Sequence, residues 1–216
     1  MNTFINSDAQ RSYTSSGFLP WQVTKEEFKG SRDVNILTHL FTQGTLYIAG
    51  EINQVQALEF SMAMSVLASE KRNVKIILDS PGGEVTAGMM IYDVIQAYPY
   101  DIDIYCAGIA ASMGAVILAG GQKGRRYILP HSKVMIHEPL IAGGMGGSAT
   151  TIEKTAQTIL ETKSVLSKIL SHHTGKTVEQ INEANEHYDD KLVESHTRLL
   201  ESLEKAVNSR YNGITN

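Results

Sequence analysis

Cysteine is almost absent from this sequence of 216 residues, and the other scarcities also narrow the class of protein. The single Cys106 excludes an internal disulfide and fits a reducing compartment, so we expect a cytoplasmic protein. Its place inside an apolar run predicts a small buried side chain rather than a second nucleophile. No apolar run approaches the roughly 18 residues of a membrane span, and the first residues lack the basic start and apolar core of a signal peptide. Neither membrane insertion nor secretion is therefore expected.

Excess positive charge is also missing. The formal net charge is −4 and the pI is near 6.0, so no electrostatic feature favours nucleic acid as a partner. The short basic patch of Lys123, Arg125 and Arg126 is interpreted as a solvated strand edge. Apolar residues make up 42% and charged residues 19% of the chain, which is typical of a soluble globular protein with a sizeable core.

The sequence also lacks the residue spacings that are typical of metal sites. No H-E-x-x-H or similar spacing occurs, so we expect no metal, and nothing calls for a cofactor. His172 and His173 are adjacent at a predicted helix end. Their side chains point about 100° apart, which favours a role at the helix terminus over a shared metal.

The most informative segment that is present contains one serine. Ser112 lies in Gly108-Ile109-Ala110-Ala111-Ser112-Met113-Gly114-Ala115, between a predicted strand at Ile102 to Cys106 and a predicted helix at Met113 to Ala119. The N-terminus of a helix offers unpaired backbone N–H groups, which suits a nucleophile whose reaction creates an oxyanion. The alternative is a serine that only caps a buried helix.

Two further motifs favour the catalytic interpretation. Ser80-Pro81-Gly82-Gly83 follows the apolar strand Val74 to Leu78 and opens a helix, and a glycine pair there lets the backbone approach a ligand closely. His137 follows Ser112 by 25 residues, at the end of a predicted strand, and is a candidate general base. Each motif alone has an ordinary structural explanation, as a tight turn or a half-buried histidine.

Strands and helices alternate from Leu37 onward, which predicts an α/β domain with a largely parallel sheet. Residues 1–30 are interpreted as a flexible N-terminal arm, and residues 31–216 as a single domain. A glycine-rich loop after Leu140 leads into a long amphipathic helix that a T-x-x-E capping box at Thr150 to Glu153 would start. Its apolar stripe needs a surface to pack on, either its own domain or a partner subunit.

The runs SPGGEVTAGMMIYDVIQ, GIAASMGAVILAGGQKGRRYILPHSKVMIHEPL and HTGKTVEQI resemble the proteolytic subunit of the Clp (caseinolytic) protease family. The resemblance covers roughly residues 32–190. It implies a crotonase-like/Clp-protease head domain with repeated β-β-α type units and a protruding handle helix at about 141–175. It also implies Ser112 as nucleophile, His137 as general base, and an oxyanion hole formed by Gly83 and Met113. The family's N-terminal region can include a removable propeptide and a pore loop.

The resemblance also implies an assembly and a reaction. The resemblance implies a serine endopeptidase subunit that cleaves unfolded polypeptide inside a homo- or hetero-oligomeric ring or double ring. An AAA+ unfoldase is the implied partner, and the subunit itself needs no cofactor. The loop between His137 and Thr150 is about two residues longer than the family pattern, which would alter the peptide groove.

The acid that orients the histidine is where the sequence departs from the family. Ungapped counting from Thr174-Gly175 puts Tyr188 in the acid's position, and one inserted residue puts Asp189 there, with Asp190 next. We predict Asp189. The chain beyond it reads as a long amphipathic helix that differs from the family's usual ending. Two alternatives therefore stay open: a catalytically weak regulatory ring paralogue, and a crotonase-type acyl-CoA enzyme, which would need a CoA pocket.

Overall fold

The computed structural model describes residues 22–27, 30–140 and 147–186. Strands and helices alternate through the central part of the chain, as predicted. The strands are β1 (Gln22–Glu27), β2 (Gly30–Asn35), β3 (Thr45–Ala49), β4 (Val74–Ser80), β5 (Ile102–Ala111), β6 (Arg126–Ile128) and β7 (Lys133–Met135). The helices are α1 (Ile36–Thr42), α2 (Gln54–Ser69), α3 (Val85–Ala97), α4 (Met113–Ala119), α5 (Ala149–Thr174) and α6 (Val178–Glu186). The predicted α/β class with a mostly parallel sheet is confirmed.

The main sheet has the order β3-β4-β5-β6, and every strand pair in it is parallel. β7 also pairs with β5 in parallel, next to the C-terminal half of that strand, whereas β6 pairs with its N-terminal half. Alternate side chains of β4 are buried, from Val74 through Ile76 and Leu78 to Ser80. β1 and β2 form a separate antiparallel pair, so residues 22–27 of the predicted arm are a strand.

Strand β5 is longer than the predicted Ile102 to Cys106, because a bulge lets the chain pair again after Cys106. The register with β4 shifts between the pairs Leu78↔Cys106 and Ser80↔Ala110. Gly108 allows this irregularity: its φ is +116°, and a Cβ there would lie 2.3 Å from Oδ1 of Asp79. That same oxygen accepts a hydrogen bond from the Ile109 N–H at 3.0 Å. The bulge carries β5 on to its junction with α4.

Helix α2 begins after Asn53, its N-cap, which accepts a hydrogen bond from the Gln56 N–H at 3.0 Å. One face of the helix packs into the core through Ala57, Phe60, Met64 and Leu67. The opposite face is also apolar. Its side chains are exposed by 41% to 54% and comprise Val55, Leu58, Met62 and Val66. Within the described residues this second face has no covering element.

Helix α5 is the predicted handle, with a different start. Ser148 is its N-cap and accepts from the Thr151 N–H, so the proposed box at Thr150 to Glu153 is wrong by two residues. The predicted end near Gly175 is confirmed by a left-handed C-cap with φ of 73°. Leu166 and Leu170 are buried in the chain's own core, whereas Ile152 and Leu160 are exposed. The apolar stripe therefore divides: its C-terminal part packs on the domain, and its N-terminal part does not.

Arg126 is not on a solvated edge, contrary to the prediction from the basic patch. Its side chain is only 6% exposed and its guanidinium donates to the carbonyl of Ala119 at 2.8 Å and of His173 at 3.3 Å. These two carbonyls lie at the C-terminal ends of α4 and α5, where a cation is favoured. Arg125 instead forms ion pairs with Asp101 and Asp103.

His173 has a more specific role than the predicted helix-end contact. Its Nε2 is 2.8 Å from the hydroxyl of Tyr92, which joins the end of α5 to α3. Burial, His172 and Arg126 lower the pKa of His173 below its ordinary value. Among residues 22–27, 30–140 and 147–186, no helix is long and apolar enough to span a membrane.

Candidate active site

Two strand-to-helix turns meet at the C-terminal edge of the sheet, where open α/β sheets bind their ligands. One is the Gly82-Gly83 turn between β4 and α3, and the other is the Ser112 junction between β5 and α4. A Cβ added at Gly82 would lie 2.6 Å from Cβ of Ser112 and 2.8 Å from the Ala111 carbonyl oxygen. The first turn can therefore contact the serine only because this position is glycine.

The Ser80 side chain holds the glycine turn in shape. Its hydroxyl donates to the Gly50 carbonyl at 2.6 Å and accepts from the Gly82 N–H at 3.1 Å. Ser80 is fully buried, so both bonds are sheltered from water. Sequence reasoning did not identify Gly82 as the contact residue; the Ser80-Pro81-Gly82-Gly83 motif was its only signal.

Ser112 has an unusual backbone conformation for a non-glycine residue, with φ of 54° and ψ of −122°. Such a conformation costs on the order of 1–3 kcal/mol and is found mainly where function requires it. The serine occupies the N-cap position of α4, but its side chain makes no capping hydrogen bond. This finding weighs against the purely structural interpretation of Ser112 as a helix cap.

The parallel pairing of β5 with β7 brings His137 to the serine. Ala111 pairs with Met135, and the Ser112 N–H donates to the Met135 carbonyl at 2.9 Å. His137 is two residues further along and lines the same pocket as Ser112. The predicted nucleophile and the predicted base therefore share one cavity. β7 ends at Met135, so the histidine follows the strand rather than belonging to it.

Of the two predicted oxyanion-hole residues, Met113 lines this pocket and Gly83 lies in the glycine turn that contacts Ser112. Met113 is the first residue of α4, and a helix provides no internal partner for the N–H groups of its first turn. Gly83 has φ of 153° and lies so close to Ile52 that a Cβ would be 2.1 Å from the Ile52 carbonyl oxygen. Hydrogen bonds from Ile52 N–H to the Gly82 carbonyl and from Glu84 N–H to the Ile52 carbonyl fix the loop on either side.

Helices α5 and α6 form the other wall of the pocket. Leu166, Leu170 and Asn185 line it together with Lys163, whose ammonium pairs with Glu138 at 3.0 Å. This ion pair joins α5 to the residue that follows His137. Asn185 is a polar residue of this wall that sequence reasoning missed; its spacing of four from the buried Ile181 could have placed it on the inner face of α6.

The predicted orienting acid, Asp189, lies outside the described residues, and so do Asp190 and Tyr188. Cys106 is fully buried as predicted, and burial raises the pKa of its thiol to about 11, so it is protonated at neutral pH. Within the described part of the chain, no group of three histidine, cysteine or acidic side chains could hold a metal ion.

The geometry therefore brings Ser112 and His137 into one pocket beside the glycine turn. A family model described as Clp protease matches residues 28–197 of this chain. The chain belongs to the Clp protease family. Membership supports a peptidase subunit in general, and the matched region includes Ser112, His137 and the whole handle helix of this Clp-family chain.

Proposed function

We propose that this chain is a serine endopeptidase subunit that cleaves unfolded polypeptides inside an oligomeric chamber. One observation carries the proposal: the strained Ser112, in contact with the Gly82 turn, shares a pocket with His137. Family membership makes peptide hydrolysis the reaction that this arrangement serves best. The proposed location is the cytoplasm, where a reduced Cys106 is expected.

The proposed reaction is acyl transfer through the serine. Ser112 Oγ attacks the scissile carbonyl carbon while His137 takes its proton, and the carbonyl oxygen becomes an oxyanion that accepts hydrogen bonds from the Gly83 and Met113 N–H groups. His137 then gives its proton to the leaving amine as the C–N bond breaks. Water, activated by the same histidine, hydrolyses the acyl-enzyme. No metal or cofactor takes part in these steps.

Asp189 is proposed to accept a hydrogen bond from His137 and so to select the reactive tautomer. Loss of such an acid can lower turnover on the order of 10⁴-fold. Asp189→Asn, Asp190→Asn and Tyr188→Phe should be compared at matched oligomeric state, because dissociation would imitate a catalytic defect. Near-unchanged turnover in Asp189→Asn would reject this assignment, and a loss confined to Asp190→Asn would move the role by one residue.

Assembly into a ring or double ring, fed by an AAA+ unfoldase, is the second part of the proposal. Two exposed apolar surfaces support it: the outer face of α2 and the N-terminal part of the α5 stripe at Ile152 and Leu160. A soluble monomer gains nothing from exposing an apolar helix face, whereas a subunit contact would bury it. Whether such a ring contains one or two kinds of chain is an outcome of the experiment below.

The test is hydrolysis of an unfolded protein such as reduced casein, measured with the wild type, Ser112→Ala and His137→Ala. Native mass spectrometry of each sample establishes the oligomeric state. The proposal expects hydrolysis by the wild type only, with the same assembly in all three. A well-assembled wild type without any hydrolysis would favour the regulatory paralogue, and binding of CoA in its place would favour the crotonase-type enzyme.

A further inference from the structure

Asn185 lies in the pocket wall, and its polar group is both buried and unsatisfied. Its side chain is 6% exposed, and its Oδ1 has no hydrogen-bond partner among the described residues. A buried acceptor without a partner is unfavourable, because it has lost its contact with water and gained no hydrogen bond. Such a group in a cavity beside a nucleophile points to a ligand that supplies the missing donor.

The helix that carries Asn185 is held firmly against its neighbour. Thr177 and Gln180 form a reciprocal capping box at the start of α6, with bonds of 3.0 Å and 3.2 Å. Ser167 of α5 donates to Oδ1 of Asn182 at 2.7 Å, and Ile181 is fully buried. Asn185 follows Asn182 by three residues and therefore lies on the same side of a fixed helix. Its amide is held in place before a substrate arrives.

The rest of this wall is apolar apart from Lys163, whose ammonium pairs with Glu138. The aliphatic side chains that line the same cavity, which has a volume of about 20 Å³, are Val85, Val116, Ile136, Leu166 and Leu170. A cavity of this size accepts about one water or the end of a small side chain. Mostly apolar walls with the unsatisfied Asn185 acceptor match a small side chain that is partly apolar and carries one hydroxyl donor.

We infer that Asn185 is a specificity-determining residue that selects a threonine-like side chain on the acyl side of the scissile bond. Its Oδ1 accepts the hydroxyl hydrogen bond, and the aliphatic walls contact the methyl group. A site built to accept a hydrogen bond discriminates against the analogue that lacks the donor. This inference rests on the proposed peptidase function, because it assigns the pocket to a peptide substrate.

The test compares two peptide ligands, acetyl-Ala-Ala-Thr-aminomethylcoumarin and its valine analogue. They differ only at one position, where threonine has a hydroxyl and valine has a methyl group. Binding is measured by calorimetry in the Ser112→Ala protein, where the proposed nucleophile is absent. The preference for threonine, expressed as the ratio of the two dissociation constants, should fall about three- to tenfold in Asn185→Leu. Asn185→Asp, which keeps an oxygen acceptor, should retain the preference, and so should the exposed control Glu183→Gln.

An unchanged ratio in folded Asn185→Leu would overturn the inference. If that variant does not fold, Asn185→Ala serves the same comparison. A uniform loss of kcat on both substrates with a shifted pH profile would also overturn it, because Asn185 would then position His137. Hydrolysis is measured separately with Ser112 intact. If the ratio of dissociation constants falls as predicted but no peptide is hydrolysed, only the proposed peptidase activity is rejected. If peptides are hydrolysed but the ratio is unchanged, only the specificity role of Asn185 is rejected.

Discussion

At the scale of single residues, the candidate site depends on the absence of a side chain at Gly82. Its backbone has φ of +95° and its Cα faces Ser112 so closely that any side chain would displace the serine. The adjacent Ser80 hydroxyl fixes this turn, and Ser112 accepts a strained conformation on the other side. Two turns therefore share the positioning of the proposed nucleophile, and their residues Gly82 and Ser112 are 30 positions apart in the sequence.

Gly82→Ala should abolish hydrolysis, because its Cβ would approach Ser112 Cβ to 2.6 Å. Gly124→Ala is the matched control, since Gly124 also has positive φ, of +82°, but nothing lies within 4 Å of a Cβ there. Both variants should lose about 1–2 kcal/mol of stability from the left-handed backbone. Peptide hydrolysis and thermal unfolding are measured together. Equal activity in the two variants would show that the Gly82 contact does not position Ser112.

At the scale of elements, the C-terminal end of α5 is joined to α4 through Arg126 and to α3 through His173. The Arg126 guanidinium donates to the last turns of both α4 and α5, and His173 pairs with Tyr92. The handle thus leaves the domain from an anchored base. The charged and titratable groups near His173 are Tyr92, His172 and Arg126, and the last two oppose its protonation.

The lowered pKa of His173 predicts acid sensitivity. The folded state binds the His173 proton less readily than the unfolded state, whose pKa is near 6.5. His173 therefore contributes full stability above that pH, and the contribution falls as the pH decreases below about 6.5. The free energy of unfolding of the wild type should fall with a slope of up to about 1.4 kcal/mol per pH unit from this group. His173→Gln should lack that component, whereas the exposed His131→Gln should keep it. Parallel pH profiles for wild type and His173→Gln would contradict the assignment.

The exposed apolar face of α2 predicts a subunit contact that is separate from any contact of α5. Leu58→Glu with Met62→Glu would place two charges in a buried subunit contact, at a cost of several kcal/mol. Sedimentation should show smaller species with unchanged circular dichroism. Lys168→Glu, an exposed position of α5 with the same total charge change, should keep the wild-type species. An unaltered assembly in the double variant, or a monomeric wild type at micromolar concentration, would contradict this contact.

At the scale of the whole molecule, periodicity and turn chemistry made the fold predictable. The short helix at Met113–Ala119 and the end of the handle helix at Gly175 depend on local rules, and the structure confirms both. Ser112 and His137 were located by motif and by the resemblance. Their common pocket depends on the pairing of β5 with β7, which no local rule specifies.

The features that sequence reasoning missed depend on tertiary contacts. Arg126 is buried because two helix ends meet beside it, and a basic triplet carries no sign of that. β5 extends past Cys106 because a glycine bulge restores its pairing. Half of the α5 stripe is covered by the chain's own core, so only its N-terminal part is available to a partner. Asn185 reaches the pocket of Ser112 and His137 only because α6 packs beside it.

The central claim is that the folded molecule presents Ser112 as an activated nucleophile. A fluorophosphonate probe tests it most directly, with the modified residue located by peptide mass spectrometry of the intact assembly. We predict labelling at Ser112 and no other serine, its loss in Ser112→Ala, and slower labelling in His137→Ala. Labelling that persists in Ser112→Ala, or a folded and assembled wild type that does not react, would contradict the account.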